Sequence, residues 1–187
     1  MLRLAVVVFL GVLPGWAQRQ YPHDSRDYTN YLAPFVSSPP SVVDRMLELA
    51  DLRTGDLVYD LGSGDGRVLI TAVQKYRVKG VGVEISANLC KATEDRVKAL
   101  KLSDRIRVVH DDMLNVDLSP ADVVIMYLET KSNEILRPKL EKSLHTGARV
   151  VSHDFAVSGW KPNRVEQLDA YSRAHTIYIY EMPPKSK

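Results

Sequence analysis

Short apolar segments alternate with longer amphipathic segments along most of the chain. The apolar segments are rich in valine, isoleucine and leucine, as buried β-strands are, while the amphipathic segments carry apolar residues at helical spacing. This alternation predicts an α/β fold with a mostly parallel, doubly wound, seven-stranded sheet and helices on both faces. The last two strands are expected to form an antiparallel pair. The predicted strands lie within residues 56–62, 79–85, 106–112, 121–128, 147–155, 164–172 and 174–182.

Amphipathic helices are predicted before and between these strands. Ser41 and Ser86 each precede a helical pattern, and serine is a favoured N-cap residue because its hydroxyl accepts a hydrogen bond from a free N–H. Pro138 falls inside the last helix and is expected to kink it, since proline removes a backbone hydrogen bond. The predicted helices cover residues 41–52, 66–76, 87–102 and 131–144.

Residues 1–17 have the pattern of a targeting segment. Arg3 precedes an uncharged apolar run, and Gly15 and Ala17 have the spacing of a signal-peptidase site. The run is shorter than the roughly 20 residues that a membrane-spanning helix needs. We therefore predict a signal peptide cleaved after Ala17, or alternatively a membrane anchor. The protein would then be secreted, periplasmic or associated with a membrane through this segment.

The next segment, residues 18–40, is rich in tyrosine and proline. It is predicted to be an N-terminal arm that packs on the main domain, residues 41–187. Phe35, Ser37 and Ser38 of this arm could close over a ligand, or could simply pack against the domain.

Composition and charge narrow the range of functions. The chain of 187 residues is long enough for one domain, and its net charge of +2, with no long basic block, gives no reason to expect a nucleic-acid partner. A single cysteine excludes an internal disulfide and any zinc site built from several cysteines. No metal site is predicted. Cys90 lies in a helical pattern and is expected to be a buried apolar residue rather than a nucleophile.

Three glycines follow the first predicted strand in the sequence "VYDLGSGDGR". Ligands of doubly wound sheets bind at the carboxyl ends of the strands, and closely spaced glycines let a ligand approach the backbone there. Dinucleotide sites have the spacing G-x-G-x-x-G, whereas Gly62, Gly64 and Gly66 give G-x-G-x-G. Asp60 would repel a pyrophosphate but could help to hold an ammonium group. The motif therefore favours a nucleoside that carries an amino acid.

With these features the chain resembles the class I, seven-β-strand methyltransferases that use S-adenosyl-L-methionine. That resemblance implies a Rossmann-like fold with S-adenosyl-L-methionine as cofactor, and it covers about residues 41–182. The family's first motif, which cradles the methionine part of the cofactor, matches Asp60, Gly62, Ser63, Gly64, Asp65 and Gly66. Asp65 could instead cap the helix that follows.

Two further motifs of the family fall on the predicted strands. Glu84 ends the second strand, where the family has an acid that binds both ribose hydroxyls, and one carboxylate can accept both hydrogen bonds. Asp112 and Met113 follow the third strand and resemble the motif that contacts the adenine ring. Asp111 competes with Asp112 for this role.

A narrower resemblance concerns the methyl acceptor. The segments "PFVSSPPSVVDRMLELA" and "GARVVSHDFAVSGWKP" resemble a branch that includes mitochondrial lysine methyltransferases of the ATP synthase c-subunit and the adenine nucleotide translocase, together with bacterial relatives. This resemblance implies a protein lysine as the acceptor. The alternatives are a small-molecule N-, O- or S-methyltransferase and a non-catalytic module that only binds the cofactor.

Direct displacement is the mechanism that the resemblance implies, with a neutral nucleophile attacking the methyl group in line. The enzyme would mainly orient the reactants and exclude water, but an amine acceptor must first lose its proton. Tyr127, Glu129 and His153 follow or end the fourth and fifth strands and are the candidate catalytic residues. His153 could equally be a packed, hydrogen-bonded histidine.

Overall fold

The fold is a single seven-stranded sheet in the order β3-β2-β1-β4-β5-β7-β6. A computed structural model describes residues 35–184. The predicted targeting segment and most of the predicted arm lie outside these residues. The strands are β1 (Leu57–Leu61), β2 (Lys79–Glu84), β3 (Ile106–His110), β4 (Val123–Met126), β5 (Arg149–His153), β6 (Arg164–Ala170) and β7 (Arg173–Glu181).

Strands β1 to β5 pair in parallel, and β7 pairs antiparallel with both β5 and β6. The strand order reverses between β1 and β4, so the carboxyl ends of these two strands form the switch point of the sheet. The predicted fold, including the antiparallel final pair, is confirmed.

Among residues 35–184, four helices flank the sheet, namely α1 (Pro40–Leu49), α2 (Arg67–Tyr76), α3 (Ala87–Ala99) and α4 (Thr130–Ser143). Within the described residues, none of the helices has the length and apolar character to cross a membrane.

The two predicted serine caps have different outcomes. Ser86 is the N-cap of α3, and its hydroxyl accepts a hydrogen bond from the Leu89 N–H at 3.4 Å. The prediction for Ser41 is wrong, because α1 begins one residue earlier, at Pro40, with Pro39 in the N-cap position and no side-chain cap. Proline is well suited to the first helical position, since its φ is already helical and it has no N–H to satisfy. Helix α4 continues past Pro138.

The core lies on both faces of the sheet because side chains of each strand alternate between them. Val58 belongs to one buried cluster and Tyr59 to the other, and Val151 and Val150 divide in the same way. The first cluster contains apolar residues of α1, α2 and α3, and the second contains those of α4. The predicted helices on both faces are therefore confirmed. Cys90 is buried, and burial raises the pKa of its thiol to about 12.

A buried ion pair fastens α1 to the amino edge of the sheet. Arg149, the first residue of β5, bonds the carboxylate of Asp56 with Nη2 at 2.6 Å, and both side chains are about one-tenth exposed. The same guanidinium donates to the backbone carbonyl oxygens of Ala50, at 2.7 Å, and Asp51. The Asp56 carboxylate also accepts from the Arg53 N–H at 2.9 Å. The loop between α1 and β1 is thus held from both sides.

Removing the acid of this pair should destabilise the domain strongly. Asp56→Ala leaves a buried guanidinium without its counter-charge, which costs about 3–5 kcal/mol of the free energy of unfolding. The matched control is Asp95→Ala, which breaks the exposed ion pair with Lys91 and should cost at most about 1 kcal/mol. Urea denaturation of both variants measures the difference. Equal losses for the two variants would contradict this account of the buried pair.

Candidate active site

A pocket opens at the switch point of the sheet, at the carboxyl ends of β1, β2 and β4. It is lined by residues 35–38 before α1, by most of residues 60–68 from the end of β1 into α2, by residues 83–85 at the end of β2, by residues 111–113 after β3, and by residues at the end of β4, together with Met46 of α1. Hereafter residues 35–39 are called the strap and residues 62–66 the glycine loop. All nine residues predicted to bind the cofactor, except Gly66, line this pocket.

The chain itself occupies the space above two of the glycines. Gly64 and Gly66 have φ values of 54° and 72°, in the left-handed region that favours glycine. A Cβ on Gly64 would lie 2.8 Å from Cδ2 of Phe35 in the strap, and one on Gly66 would lie 2.5 Å from Cγ2 of Thr93 in α3. The loop therefore needs glycine for its backbone conformation and for the contacts that the strap and α3 make with it.

Glu84 fixes the glycine loop from the neighbouring strand. This residue ends β2 and is buried, and one of its carboxylate oxygens accepts a hydrogen bond from the Gly64 N–H at 2.8 Å. The other oxygen accepts from the Ser86 N–H at 2.9 Å, at the start of α3. Each carboxylate oxygen has two lone pairs, so Glu84 keeps the capacity to accept further hydrogen bonds within the pocket that it lines.

Asp60 places an acid in the floor of the same pocket. Its side chain is 4% exposed. Burial, followed by the nearby charges of Glu84 and Asp65, raises the pKa of its carboxyl group to about 8. Ionised Asp60 would therefore be stabilised by a cation bound in the pocket, as an ammonium group would be.

The Asp65 carboxylate pairs with Arg67 at the start of α2. This carboxylate is 2.7 Å from Nη2 of Arg67 and accepts from the Arg67 N–H at 3.2 Å, in the first turn of α2. Gly66 stands in the N-cap position of α2, so Asp65 serves a helix N–H from one position further back. Arg67, which sequence reasoning missed, also donates to the carbonyl oxygen of Ser38 at 3.0 Å and so joins the strap to this acid.

The two acids after β3 have distinct roles in their turn. The Asp112 carboxylate accepts from the Leu114 N–H at 2.9 Å and is buried. Asp111 is less buried, and its carboxylate accepts from the Asp112 N–H at 2.7 Å. Both acids and Met113 line the pocket.

Among the three candidate catalytic residues, the structure brings Tyr127 to the pocket. Its hydroxyl donates to Asp154 at 3.1 Å and accepts from Nη2 of Arg173 at 2.8 Å, and the same Arg173 nitrogen lies 2.8 Å from Asp154. Burial, followed by the charge of Asp154, raises the pKa of the Tyr127 hydroxyl, so this group stays protonated at neutral pH. Asp154 and Arg173 are functional candidates that were missed, because β5 and β7 bring them together from distant parts of the chain.

His153 lies behind Tyr127 and is fully buried. Its ring stacks against the Tyr127 ring with centroids 3.9 Å apart, and its Nδ1 is 2.8 Å from the Ser38 hydroxyl. Its Nε2 is 2.8 Å from Nδ1 of His175 on β7. Burial lowers the pKa of His153 to about 4, so the ring is neutral at neutral pH. This is the packed, hydrogen-bonded histidine that sequence reasoning left as an alternative.

Glu129 is not brought to the pocket. It occupies the N-cap position of α4, makes no side-chain cap and is exposed. Trp160 also lies outside this pocket. Its ring packs against Tyr180, and its N–H donates to Glu141 at 2.8 Å.

One group of side chains in the described residues has atoms close enough to share a metal ion, namely His153, Asp154 and His175. Hydrogen bonds account for these atoms, since the two histidines bond each other and Asp154 holds the cationic Arg173. The prediction that the protein has no metal stays a prediction.

The comparisons with known proteins find methyltransferases. The sequence model of the ANTKMT methyltransferase domain matches residues 60–164. A protein-lysine N-methyltransferase of Saccharolobus islandicus is 44% identical, over 79% of this chain and 92% of that protein. The adenine nucleotide translocase lysine N-methyltransferase of Mus musculus is 28% identical, over 95% of this chain and 80% of that protein.

A solved structure extends this likeness to the fold and the ligand. It is the crystal structure of an RNA methyltransferase from Salinibacter ruber in complex with S-adenosyl-L-homocysteine, with 40% identity and a TM-score of 0.75, covering 81% of this chain and 97% of that one. The buried acids and the glycine loop of the pocket suit the hydroxyl and amino groups of such a ligand. The chain belongs to the ANTKMT methyltransferase domain family and is an S-adenosylmethionine-dependent methyltransferase.

Proposed function

We propose that the protein methylates lysine side chains of a protein acceptor. The observation that carries the proposal is the 44% identity, over nearly the whole length of the relative, to a protein-lysine N-methyltransferase. A second relative, matched over most of this chain, is also a lysine methyltransferase. The pocket supports the proposal because the tyrosine at its edge offers a neutral oxygen to an incoming amine.

In this proposal, different residues of the pocket bind different parts of the cofactor. Asp60 and the glycine loop hold the methionine part, with the Asp60 carboxylate paired to its ammonium group. Glu84 accepts hydrogen bonds from the ribose hydroxyls, in addition to the two backbone N–H groups that it already holds. Asp112 accepts from the adenine amino group, and Met113 packs on the ring.

When bound, S-adenosyl-L-methionine supplies a methyl group that is activated by the positive charge of its sulfur. The chain must then bring a neutral amine to this group and exclude water. Tyr127 is placed for the first task, since its hydroxyl oxygen can accept a hydrogen bond from the amine and orient the lone pair of the nitrogen. Asp154 and Arg173 hold that hydroxyl on either side. His153 acts through Tyr127, as a positioning residue, because both its ring nitrogens are engaged and its side chain is buried.

An RNA acceptor is the competing hypothesis, because the Salinibacter ruber relative is an RNA methyltransferase by title. The charge of this chain argues against it. Proteins that bind RNA through its phosphates usually carry a clustered positive charge, whereas the net charge here is +2 with acids and bases intermixed.

Methyl transfer to peptides tests the proposal directly. With labelled S-adenosyl-L-methionine, the protein should methylate members of a library of lysine-containing peptides, and mass spectrometry should place the methyl group on the lysine side chain. A library with every lysine replaced by arginine is the control and should stay unlabelled. Total RNA and a set of small amines, thiols and alcohols form the other arms. Label in one of these arms alone would replace the proposal, and binding of S-adenosyl-L-homocysteine without any transfer would indicate a non-catalytic module.

The raised pKa of Asp60 predicts how cofactor affinity depends on pH. Below about pH 8 the free protein holds a proton on Asp60, and that proton must leave before the carboxylate can pair with an ammonium group. The association constant for S-adenosyl-L-homocysteine should therefore fall as the pH drops below 8, by up to about tenfold per pH unit. Calorimetric titration between pH 6 and 8 measures this slope.

Asp60→Asn is the matched variant, and it should bind more weakly and lose most of this slope. It should also stabilise the ligand-free protein. The pKa of Asp60 is about 8 in the folded state and ordinarily 3.8, so the unfolded state binds fewer protons between these values and stability falls as the pH rises. Asparagine stays neutral and removes that loss. A slope that persists in Asp60→Asn would assign the titration to another group.

Tyr127→Phe separates catalysis from cofactor binding. The variant keeps the ring that stacks on His153 but loses the hydroxyl, so kcat for peptide methylation should fall by about tenfold to a hundredfold. Affinity for S-adenosyl-L-homocysteine should change by less than about twofold. Tyr76→Phe, at the end of α2 and the opposite edge of the sheet, is the control and should match the unmodified enzyme. An unchanged kcat in Tyr127→Phe would remove this residue from the mechanism.

A further inference from the structure

Unusual backbone conformations in the described residues fall into two groups. Six residues other than glycine have a positive φ, and three of them lie one or two residues beyond the ends of α1, α2 and α3, where a left-handed residue commonly terminates a helix. The remaining three lie beyond the carboxyl end of β5. They are Asp154, Tyr171 and Ser172.

Two of these three form the turn between β6 and β7. Ala170 pairs with Arg173, so the turn consists of Tyr171 and Ser172, with φ values of 48° and 62°. Positive φ at both positions is the geometry of a type I′ turn, which is normally made by asparagine and glycine. A left-handed conformation costs an ordinary residue about 1–2 kcal/mol. Tyrosine and serine are therefore unfavourable choices for this hairpin.

Burial does not compensate for this cost within the described chain. Tyr171 is 67% exposed, the highest exposure among the large apolar side chains of the described residues. A strained residue that persists without a packing role is a marker of function. An exposed aromatic ring is also well suited to contact a partner, because it buries a large area and loses little side-chain entropy.

The hairpin tip, defined as Tyr171, Ser172 and Arg173, is joined to the active site through the side chain of Arg173. Strand β7 runs antiparallel to β5, so its first residues lie beyond the carboxyl end of β5. Arg173 then reaches the Tyr127 hydroxyl at 2.8 Å, and Tyr127 lines the pocket. Tyr171 therefore precedes by two positions in the sequence the residue, Arg173, that contacts the proposed catalytic tyrosine.

We propose that Tyr171 contacts the polypeptide that carries the acceptor lysine and so helps to select a protein acceptor over free lysine. This inference rests on the proposed function. The ring packs against residues that flank the lysine in the peptide, while Arg173 keeps the hairpin tip joined to Tyr127. The strain in the turn is retained because asparagine or glycine in its place would lack this contact surface.

The test compares a peptide with a single-residue acceptor. The peptide is the library member that the unmodified enzyme methylates fastest, and the single-residue acceptor is Nα-acetyl-lysine methylamide. Tyr171→Asn should raise KM for the peptide by about fivefold or more. It should leave kcat/KM for the single-residue acceptor and the affinity for S-adenosyl-L-homocysteine unchanged. Its Tm should not fall, because asparagine suits the left-handed turn.

Two further variants complete the test. Tyr171→Phe keeps the ring and should retain the low KM for the peptide. Leu100→Asn changes an exposed apolar residue, 42% exposed, at the opposite edge of the sheet and should have no effect on either acceptor.

The outcomes separate this inference from the proposed function. If the unmodified enzyme methylates peptides but Tyr171→Asn leaves KM unchanged, or impairs both acceptors equally, the inference is overturned and the proposed function stands. If the unmodified enzyme binds S-adenosyl-L-homocysteine and methylates no peptide, the proposed function fails, and the inference fails with it.

Discussion

The hydrogen bonds of the Glu84 carboxylate are the constraint on which the site depends. Through two backbone N–H groups this side chain ties the glycine loop after β1 to the start of α3 after β2. The same bonds bring Glu84 close to Asp60 and Asp65, and this concentration of negative charge adds to burial in raising the pKa of Asp60. Below about pH 8 a proton on Asp60 relieves this repulsion, and a cationic ligand can take the place of that proton.

A second set of contacts links the cofactor side of the pocket to the acceptor side. Arg67 holds the strap through the carbonyl oxygen of Ser38, and the Ser38 hydroxyl bonds the His153 ring. That ring packs against Tyr127, whose hydroxyl is held by Arg173 of the hairpin tip. The strap that covers the glycine loop is therefore connected, by contiguous contacts, to the residue that would orient the amine. The neutral state of His153 suits this role, because a buried charge beside the positively charged methyl donor would be costly.

Local patterns were sufficient to predict the strands, the helices and the position of the glycine loop after β1, because apolar periodicity and closely spaced glycines are local signals. The cofactor roles of Glu84, Asp112 and Met113 stay predictions that the family resemblance implies. Contacts between distant segments were not predictable in this way. Phe35 of the strap leaves no room for a side chain at Gly64, and Thr93 of α3 leaves none at Gly66. Nothing near the glycines in the sequence indicates these two contacts. The failure at Ser41 has a local cause, since the adjacent proline is the better first residue of a helix.

Buried charges are paired at the amino edge of the sheet, whereas unfavourable groups lie at the carboxyl edge. At the amino edge, the buried charges of Arg149 and Asp56 neutralise each other and bond the backbone of the α1–β1 loop. At the carboxyl edge, an acid with a raised pKa lies in the pocket floor and a tyrosine adopts a left-handed turn in solvent. Local rules are most often violated where a protein binds or reacts, and the stability lost there must be supplied elsewhere. In the function and the inference proposed above, each unfavourable feature has a partner outside the chain: the cofactor for Asp60 and the acceptor polypeptide for Tyr171.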